Sequence, residues 1–240
     1  MRHVPALLLL LMVAYVLFLT MAEAPAFGVV DVPSRNLVVD RYLDPDPEET
    51  GVPNAVARII FDYRAHDTLG EATVLFVAVG AAAAVLVGRP GPFATRPVTG
   101  TDDPILRTVA RLVIPFVQVY AVYVITHGHV SPGGGFAGGT ILGGSFVLYL
   151  FVFGPGRAAR KLSPARGEMV EGLTALWYIL VGLGGLLLGA SFLANAAAGF
   201  PLGVPGKLLS GGAIWLIGLG IGLKVAATVA NLFLHLAGES

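Results

Sequence analysis

The stretch FAGGTILGGSFVLYLFVF, residues 136–153, contains no charged side chain. A helix needs roughly 20 apolar residues to cross the hydrocarbon core of a bilayer. Lipid offers the backbone no water to bond to, so a spanning segment of this kind has to form its own hydrogen bonds as a helix. Residues 136–153 therefore predict a transmembrane helix.

Five further stretches have nearly the same character, and they are residues 4–21, 69–88, 105–126, 169–194 and 208–236. The composition of the chain agrees with them, since hydrophobic residues make up 55%, charged residues only 12%, and the mean hydropathy is +0.79. Soluble domains carry about 25% charged residues. The sequence thus predicts an all-α, polytopic membrane protein with six transmembrane helices.

The composition also excludes several classes of function. The 15 basic and 15 acidic residues cancel, which argues against a nucleic-acid binder that works through a basic surface. The chain has no Cys, which excludes disulfides, thiolate metal sites and iron–sulfur clusters. Because no nucleophile–base pair, cofactor motif or paired carboxylate site is evident, we expect neither a self-contained enzyme nor a bound cofactor.

The zero net charge conceals an uneven distribution along the chain. Nine of the 15 basic residues lie at the N-terminus and in segments 89–111 and 157–166, whereas nine of the 15 acidic residues lie in segment 23–68. Cytoplasmic loops of membrane proteins carry an excess of Lys and Arg. This pattern predicts a multi-pass protein of the inner (plasma) membrane with both termini in the cytoplasm and residues 23–68 as an acidic extracytoplasmic loop.

The first apolar stretch has a second interpretation. Arg2 precedes it and Ala22-Glu23-Ala24 follows it, which resembles a signal peptide with a small-residue cleavage site. Pro25 directly after that site argues against cleavage, and the stretch is long enough to span. We therefore expect a retained transmembrane helix.

A Pro- and Gly-rich segment, GRPGPFATRPVTG at residues 88–100, divides the chain. It predicts a two-span module at residues 1–88, a linker at 89–104 and a four-span domain at 105–240. Within the acidic loop, apolar residues recur at helical spacing over residues 53–66, and they suggest an amphipathic helix at the membrane surface.

Apart from Arg107 and Arg111 at the start of the third span, the charged residues inside predicted spans are Glu71, Glu171 and Lys224. Ionisable groups in a bilayer are costly, and they are usually functional or paired. Lys224 lies about midway along the sixth span, and Thr228, Asn231 and His235 share its helical face. Such a stripe indicates a proton or cation relay, or a lysine that links two helices through a buried salt bridge.

Glu171 is the acid nearest to Lys224 by predicted position, but its expected depth differs. It begins the fifth span near the cytoplasmic end, whereas Lys224 is nearer the middle, so we expect the two to communicate through a water chain or a neighbouring subunit. Glu171 could instead face the basic loop at 157–166. Glu71 could likewise be an interfacial acid at the outer headgroups.

The segment HGHVSPGGGFAGG, residues 127–139, joins the third and fourth spans. Its glycines allow the backbone to approach another helix or an ion closely. His127 and His129 are the only residues of this segment that commonly bind metals, and two ligands are too few to favour a metal site. The segment also lacks the sequence pattern of a phosphate-binding loop. Gly135, Gly139 and Gly143 form a small-residue ridge of the kind that packs helices in lipid.

This segment resembles the signature of the MnhB family, the B-type subunits of Mrp-type (multi-subunit) sodium/proton antiporters. The matching residues run from Gly128 to Gly139 and include Ser131, Pro132, Gly133, Gly134, Gly135 and Phe136. Ile221-Gly-Leu-Lys-Val-Ala-Ala resembles the late-helix pattern of the same family, and the likeness covers roughly residues 105–236. Ala137 stands where the family often has Gln.

Residues 27–88 resemble a different piece, the E-type subunit of membrane-bound hydrogenases, which is equivalent to the C-terminal end of the large, A-type antiporter subunit. The core of that likeness is Asp67-Thr-Leu-Gly-Glu71. These modules are usually separate chains, or the first is part of a much larger one, so a fusion is a departure from the family pattern.

The resemblance implies a subunit of a large assembly related to the membrane arm of respiratory complex I. Its implied partners are other membrane subunits, the lipid bilayer, sodium ions and protons. Asp62, Asp67, Glu71, His129, Ser131 and Lys224 carry over from the two families, and His127 lies beside them.

Three functions remain open on the sequence. The first is a subunit that takes part in sodium(cation)/proton antiport through Glu71, Lys224 and Glu171. The second is a non-translocating structural subunit that bridges larger ones, and the third is a membrane-arm subunit of an energy-converting oxidoreductase whose redox centres lie on partners.

Overall fold

The computed structural model describes residues 3–23, 33–43, 50–86 and 100–237. Within those ranges the chain is helical and forms no strand. Five of the helices are long and apolar enough to cross a membrane, and a shorter apolar stretch, Leu7–Ala22, accompanies them. The predicted all-α, polytopic architecture is confirmed.

The chain divides into two compact units, Met1–Asp44 and Pro45–Ser240. The first contains helix α1, His3–Ala22, and helix α2, Pro33–Leu43. From residue 7 onward, the side chains of α1 are exposed on every face of the helix. A helix that is apolar all round and uncovered by its own chain suits contact with lipid or with another subunit.

The second unit begins with an ordered approach to its first long helix. Helix α3, Ala55–Arg58, continues into a π-helical turn, Ile59–Tyr63, and helix α4 then runs over Ala65–Leu86. Segment 23–68, which we predicted as a loop, is therefore partly helical. Its buried face consists of Ala57, Phe61 and Ala65. Val56, from the predicted apolar face, is exposed, because the buried positions recur every four residues from Ala57.

The other helices are α5, Pro104–His127; α6, Gly135–Phe153; α7, Pro155–Lys161; α8, Pro164–Leu187; and α9, Ala213–Leu236. A short 3-10 helix, Ala196–Ala198, lies between α8 and α9. Prolines at the first helical positions and the caps Asp103 and Ser163 define the starts of α5 and α8. Proline is tolerated there because its missing N–H would have no helical partner.

The bounds of α5 and α6 lie within one residue of the predicted spans, but α8 is displaced toward the N-terminus. It begins at Pro164 instead of residue 169 and ends at Leu187 instead of 194. The charged residues after Ser163 hid this start from a hydropathy reading, although Ser163 accepts a hydrogen bond from the Arg166 N–H as an N-cap. Glu171 consequently lies deeper in its helix than the sequence suggested.

Helix α9 is the central element of the second unit. It packs against α6 and α8 most extensively and also against α4 and α5. Ile214, Ile217 and Ile221 on α9 are almost fully buried and join a core with residues of α4 and α8. A helix surrounded on several sides can carry buried polar groups, because neighbouring helices supply partners for them.

The predicted glycine ridge forms the contact between α6 and α9. A Cβ at Gly135 would lie 2.5 Å from the Gly218 carbonyl oxygen, and one at Gly139 would lie 2.6 Å from that of Gly222. Close backbone approach of this kind is how small residues pack helices in lipid. Gly143 continues the ridge against Ala226 and Val229.

The predicted division of the chain at residues 89–104 stays a prediction. Residues 87–99, most of that linker, lie outside the described part, as do residues 24–32 and 44–49 of the acidic segment. Helix α4, from the predicted two-span module, shares its compact unit with α5 to α9.

The α6–α9 contact can be tested with two glycines of one helix. Gly139→Val should lower the free energy of unfolding by about 1–3 kcal/mol, because the added side chain meets the backbone of α9. Gly144→Val is the matched control, since a Cβ there meets nothing within 4 Å. Thermal unfolding of the purified chain in detergent, followed by circular dichroism, measures both. Equal losses in the two variants would contradict this packing.

Candidate functional site

Polar side chains from α8 and α9 form a buried cluster between the two helices. Lys224 and Glu171 are each 3% exposed, Thr228 is 4% exposed and Asn231 is 1% exposed. The structure therefore brings together the stripe that we predicted on the sixth span and the acid that we predicted on the fifth. We refer to Lys224, Thr228, Asn231 and Glu171 as the polar seam.

One direct hydrogen bond joins the two helices within the polar seam. The Asn231 side-chain amide donates to Glu171 Oε1 over 2.8 Å. The next polar group toward the C-terminus is His235, whose Nδ1 lies 2.8 Å from the Asn231 carbonyl oxygen. Its Nε2 lies 3.9 Å from Glu168, an acid whose side chain is 64% exposed. Polar groups thus continue from the seam to Glu168, near the N-terminus of α8.

Lys224 lies at the other end of the polar seam. Helical rise places the Asn231 Cα roughly 10 Å farther along α9 than the Lys224 Cα. Within the described residues, no carboxylate lies within 4.0 Å of Lys224 Nζ. Its close neighbour is instead the ring of Phe76 on α4, with Nζ 4.9 Å from the ring centroid. The direct salt bridge that we considered from the sequence is absent from this part of the chain.

Two polar atoms between Lys224 and Glu171 lack hydrogen-bond partners among the described residues. They are the Thr228 hydroxyl oxygen and Asn231 Oδ1. Buried polar atoms are normally satisfied by protein or ordered water. These two atoms therefore need water or a group beyond the described residues as a partner.

Gly167 on α8 makes room for Asn231, and the sequence offered no signal of this. A Cβ at residue 167 would lie 1.9 Å from Asn231 Oδ1 and 2.4 Å from Nδ2. Any larger residue would displace the amide and its hydrogen bond to Glu171. Hydropathy placed Gly167 in a loop, so only the true start of α8 reveals this contact.

A cavity of about 330 Å³ opens beside Lys224 between α4, α8 and α9. Its walls are apolar apart from three polar groups, which are the Lys224 ammonium, the Thr73 hydroxyl and the Tyr178 phenol. The Tyr178 hydroxyl is engaged, since it donates to the Ala65 carbonyl oxygen over 2.8 Å. Lys224 is therefore the charged group at a cavity that reaches the surface of the second unit.

The two candidate acids on α4 lie apart from the polar seam. Glu71 is exposed, near enough to Tyr178 to act on it electrostatically. Asp67 is exposed and pairs with Arg64. Neither acid contacts Lys224 or Glu171 within the described chain, so any joint path needs water or another subunit. Because the Glu71 side chain is exposed on a predicted span, a neighbouring subunit can cover it.

The signature loop at residues 128–134 is held by backbone contacts. Gly133 and Gly134 have φ values of +122° and +101°, which L side chains rarely adopt. A Cβ at Gly128 would lie 2.3 Å from the Gly134 Cα, so the loop closes on itself. The Ser131 hydroxyl donates to the His127 carbonyl oxygen over 3.1 Å. Pro132 lies between these residues, and Phe136 packs against the main core.

The two histidines of the loop have different surroundings. His127 stacks on Tyr123 with ring centroids 4.1 Å apart and remains partly exposed. His129 is 3% exposed, and its Nε2 donates to the Lys207 carbonyl oxygen over 3.0 Å. Burial lowers the pKa of His129, and nearby His127 lowers it further, while the hydrogen bond to Lys207 acts in the opposite direction. A neutral His129 therefore suits this loop.

Two asparagines that the sequence did not single out fasten the surrounding segments. The Asn54 amide donates to the carbonyl oxygens of Gly128 and Ser131, over 2.8 and 2.9 Å, while its Oδ1 caps α3. Asn195 donates to the Thr50 and Gly211 carbonyl oxygens and accepts from the Ala213 N–H at the start of α9. Both are tertiary contacts between distant segments, which leave no local pattern.

Comparison with known proteins places this arrangement in a family. The family described as "Domain related to MnhB subunit of Na+/H+ antiporter" matches residues 105–231, which is more than half of the chain. The chain belongs to this family, as its signature loop predicted. It is a multi-pass membrane protein.

Individual relatives extend the comparison. An uncharacterized protein of Methanocaldococcus jannaschii is 30% identical over 206 residues, which is 78% of each chain. The B-type subunit of the Na(+)/H(+) antiporter of Bacillus subtilis is 33% identical over 137 residues, which is 55% of this chain and 95% of that protein.

Two solved structures resemble the fold over nearly its whole length. A chain of the membrane-bound sulfane sulfur reductase, an archaeal respiratory membrane complex, matches with a TM-score of 0.69 and 33% identity over 98% of this chain and 97% of that one. A chain of the Mrp complex from Dietzia matches with a TM-score of 0.69 and 27% identity over 99% of this chain. The match spans only 26% of the Dietzia chain.

The burial of His129 predicts a pH dependence of stability. Because its folded pKa lies below the ordinary value of 6.5, stability is complete above that pH and falls as the pH drops through 6.5 toward the folded pKa. Thermal unfolding of the purified chain between pH 5 and 8 (about the range in which His titrates) measures this.

His129→Gln keeps a donor for the Lys207 carbonyl but does not titrate, so it should flatten the dependence. His127→Gln is the control and should retain most of it, because burial, the main cause of the lowered pKa of His129, stays in place. The same slope in the wild type and in His129→Gln would show that another group titrates.

Proposed function

We propose that this chain is a membrane subunit of a sodium(cation)/proton antiporter module and that its polar seam relays protons or cations between α8 and α9. The observation that carries the proposal is a buried lysine and a buried glutamate with Thr228 and Asn231 between them along α9, of which Asn231 bonds to the glutamate, in a chain of the MnhB-related family. The assembly lies in the plasma membrane with both chain termini in the cytoplasm, in keeping with the uneven distribution of basic residues.

The chemistry of the polar seam suits protons in particular. Lys224 has no carboxylate partner in contact within the described chain, so its ammonium is stabilised by the Phe76 ring and by the more distant Glu171 charge. A buried lysine of this kind can release and regain its proton at modest cost. Glu171 and His235 then offer successive proton acceptors toward Glu168, near the N-terminus of α8.

The cavity beside Lys224 provides the other half of the relay. It reaches Nζ from the side of α4, where Glu71 lies exposed on the same helix. A neighbouring membrane protein packed on α4 would bring its own groups and waters to this opening. In this proposal the ion path is complete only within the assembly.

The likeness to the sulfane sulfur reductase chain favours a second setting for the same subunit. In an energy-converting oxidoreductase the redox centres would lie on partner subunits, and this chain would serve in the membrane arm. Identification of the subunits that copurify with the chain distinguishes the two settings. Flavin, haem or iron–sulfur subunits in stoichiometric amounts would assign it to a redox-driven complex, and their absence would assign it to a separate antiporter.

A non-translocating structural subunit is the remaining alternative, and charge-removing variants address it. Lys224→Ala and Glu171→Gln should each lower sodium-dependent proton movement to below about a tenth of the wild-type rate, because each breaks the seam. Glu71→Ala should do the same if the path crosses α4. The measurement is dye-reported pH change in membrane vesicles that contain the full assembly.

Lys207→Ala and Asp102→Asn are the matched controls, since both side chains are exposed and neither belongs to the polar seam. They should leave the rate near that of the wild type. Copurification of the other subunits with each variant shows whether the assembly is intact. Full antiport in an intact assembly with Lys224→Ala and Glu71→Ala would assign the chain a structural function only.

A further inference from the structure

A second charged groove lies between α5, α6 and α7, near the end where α5 begins. It has a volume of about 210 Å³. Arg111 and Lys161 line it together with apolar and aromatic side chains. No residue of the polar seam takes part in it.

Each cation of the groove packs against an aromatic ring. The Arg111 guanidinium lies 5.9 Å from the Phe153 ring centroid, and Lys161 Nζ lies 5.6 Å from that of Tyr149. The centroids of these two rings are 4.6 Å apart. Two positive charges therefore line the same groove, each beside one ring of an aromatic pair.

Neither cation has an anionic partner in the described part of the chain. The ion pairs there involve other side chains, and Arg111 and Lys161 make only their ring contacts. An anion in the groove would be attracted to both positive charges.

The remaining walls of the groove are mainly apolar. Ile114, Pro115 and Phe146 provide apolar surface, and the polar Gln118 among them donates a hydrogen bond to the Ser145 hydroxyl. Pro115 has no N–H, so the Arg111 carbonyl lacks its helical donor. The groove thus combines two positive charges with apolar surface, which suits the phosphate and the acyl chain of a phospholipid.

We propose that the groove formed by Arg111, Lys161, Tyr149, Phe153 and the apolar face of α5 binds one anionic phospholipid, with its phosphate between the two cations. Such a lipid would fill the groove between α5 and α7 and hold the basic α7 segment against the membrane surface. The inference is independent of ion transport by the polar seam.

Native mass spectrometry of the delipidated full chain, titrated with phosphatidylglycerol or phosphatidylcholine of the same acyl chains, tests the proposal. The wild type should bind one phosphatidylglycerol in preference to phosphatidylcholine. Arg111→Gln with Lys161→Gln should weaken that binding by roughly tenfold or more, since each basic residue contributes to holding an anionic lipid. Inorganic phosphate should not displace the lipid, because it lacks the apolar part.

Two matched pairs of variants separate this site from a general basic surface and from misfolding. Arg157→Gln with Arg160→Gln removes two charges of α7 that do not line the groove, and it should leave the preference unchanged. Arg111→Lys with Lys161→Arg keeps both charges and should keep most of the binding.

Several results would overturn the proposal. They are equal binding of the two lipids by the wild type, an equal loss in the α7 control pair, an equal loss in the charge-conserving pair, and displacement by phosphate alone. In the intact assembly, a partner's carboxylate between Arg111 and Lys161 would show that the groove takes a protein partner instead.

Discussion

The burial of α9 among α4, α5, α6 and α8 is the constraint on which the rest of the second unit depends. In lipid, each polar group on such a helix needs a partner from the protein or from water. On the side of α6, glycines let the two backbones touch. On the side of α8 the helix carries Lys224, Thr228 and Asn231. Glu171 accepts a hydrogen bond from Asn231, and Gly167 leaves space for the Asn231 side chain. The Thr228 hydroxyl and Asn231 Oδ1 have no partner among the described residues.

The two faces of α9 explain why one chain combines tight packing with a polar interior. The α6 contact fixes the position of α9 along its axis, since Gly135 and Gly139 admit little displacement. With α9 fixed, Asn231 meets Glu171, while Lys224 lies beside an apolar cavity and has no carboxylate within 4.0 Å among the described residues. The proposed relay depends on this arrangement, whereas a static salt bridge would bring the two charges into contact.

Much of the fold follows from hydropathy, because bilayer thickness determines both the length and the composition of a spanning helix. Hydropathy and helical spacing predicted the bounds of α5 and α6 and the polar stripe on α9, and the signature loop predicted the family. The start of α8 was not predicted, because Arg166 and Glu168 lower the hydropathy of its first turn and only the Ser163 cap and Pro164 mark it. Gly167, Asn54 and Asn195 act between distant segments, and a single sequence carries no periodic signal for such contacts. The functions of Lys224, Glu171 and Glu71 remain predictions.

The distinction between a relay and a structural link depends on whether water occupies the polar seam. A cryo-EM map of the intact assembly, at a resolution that shows ordered water, measures this directly. A continuous line of waters is expected from the cavity beside Phe76, past Lys224 and Thr228, to the Glu171 carboxylate. A dry gap between Lys224 and Glu171, filled by apolar side chains of a partner or by lipid, would contradict a relay and leave the buried pair a purely structural function.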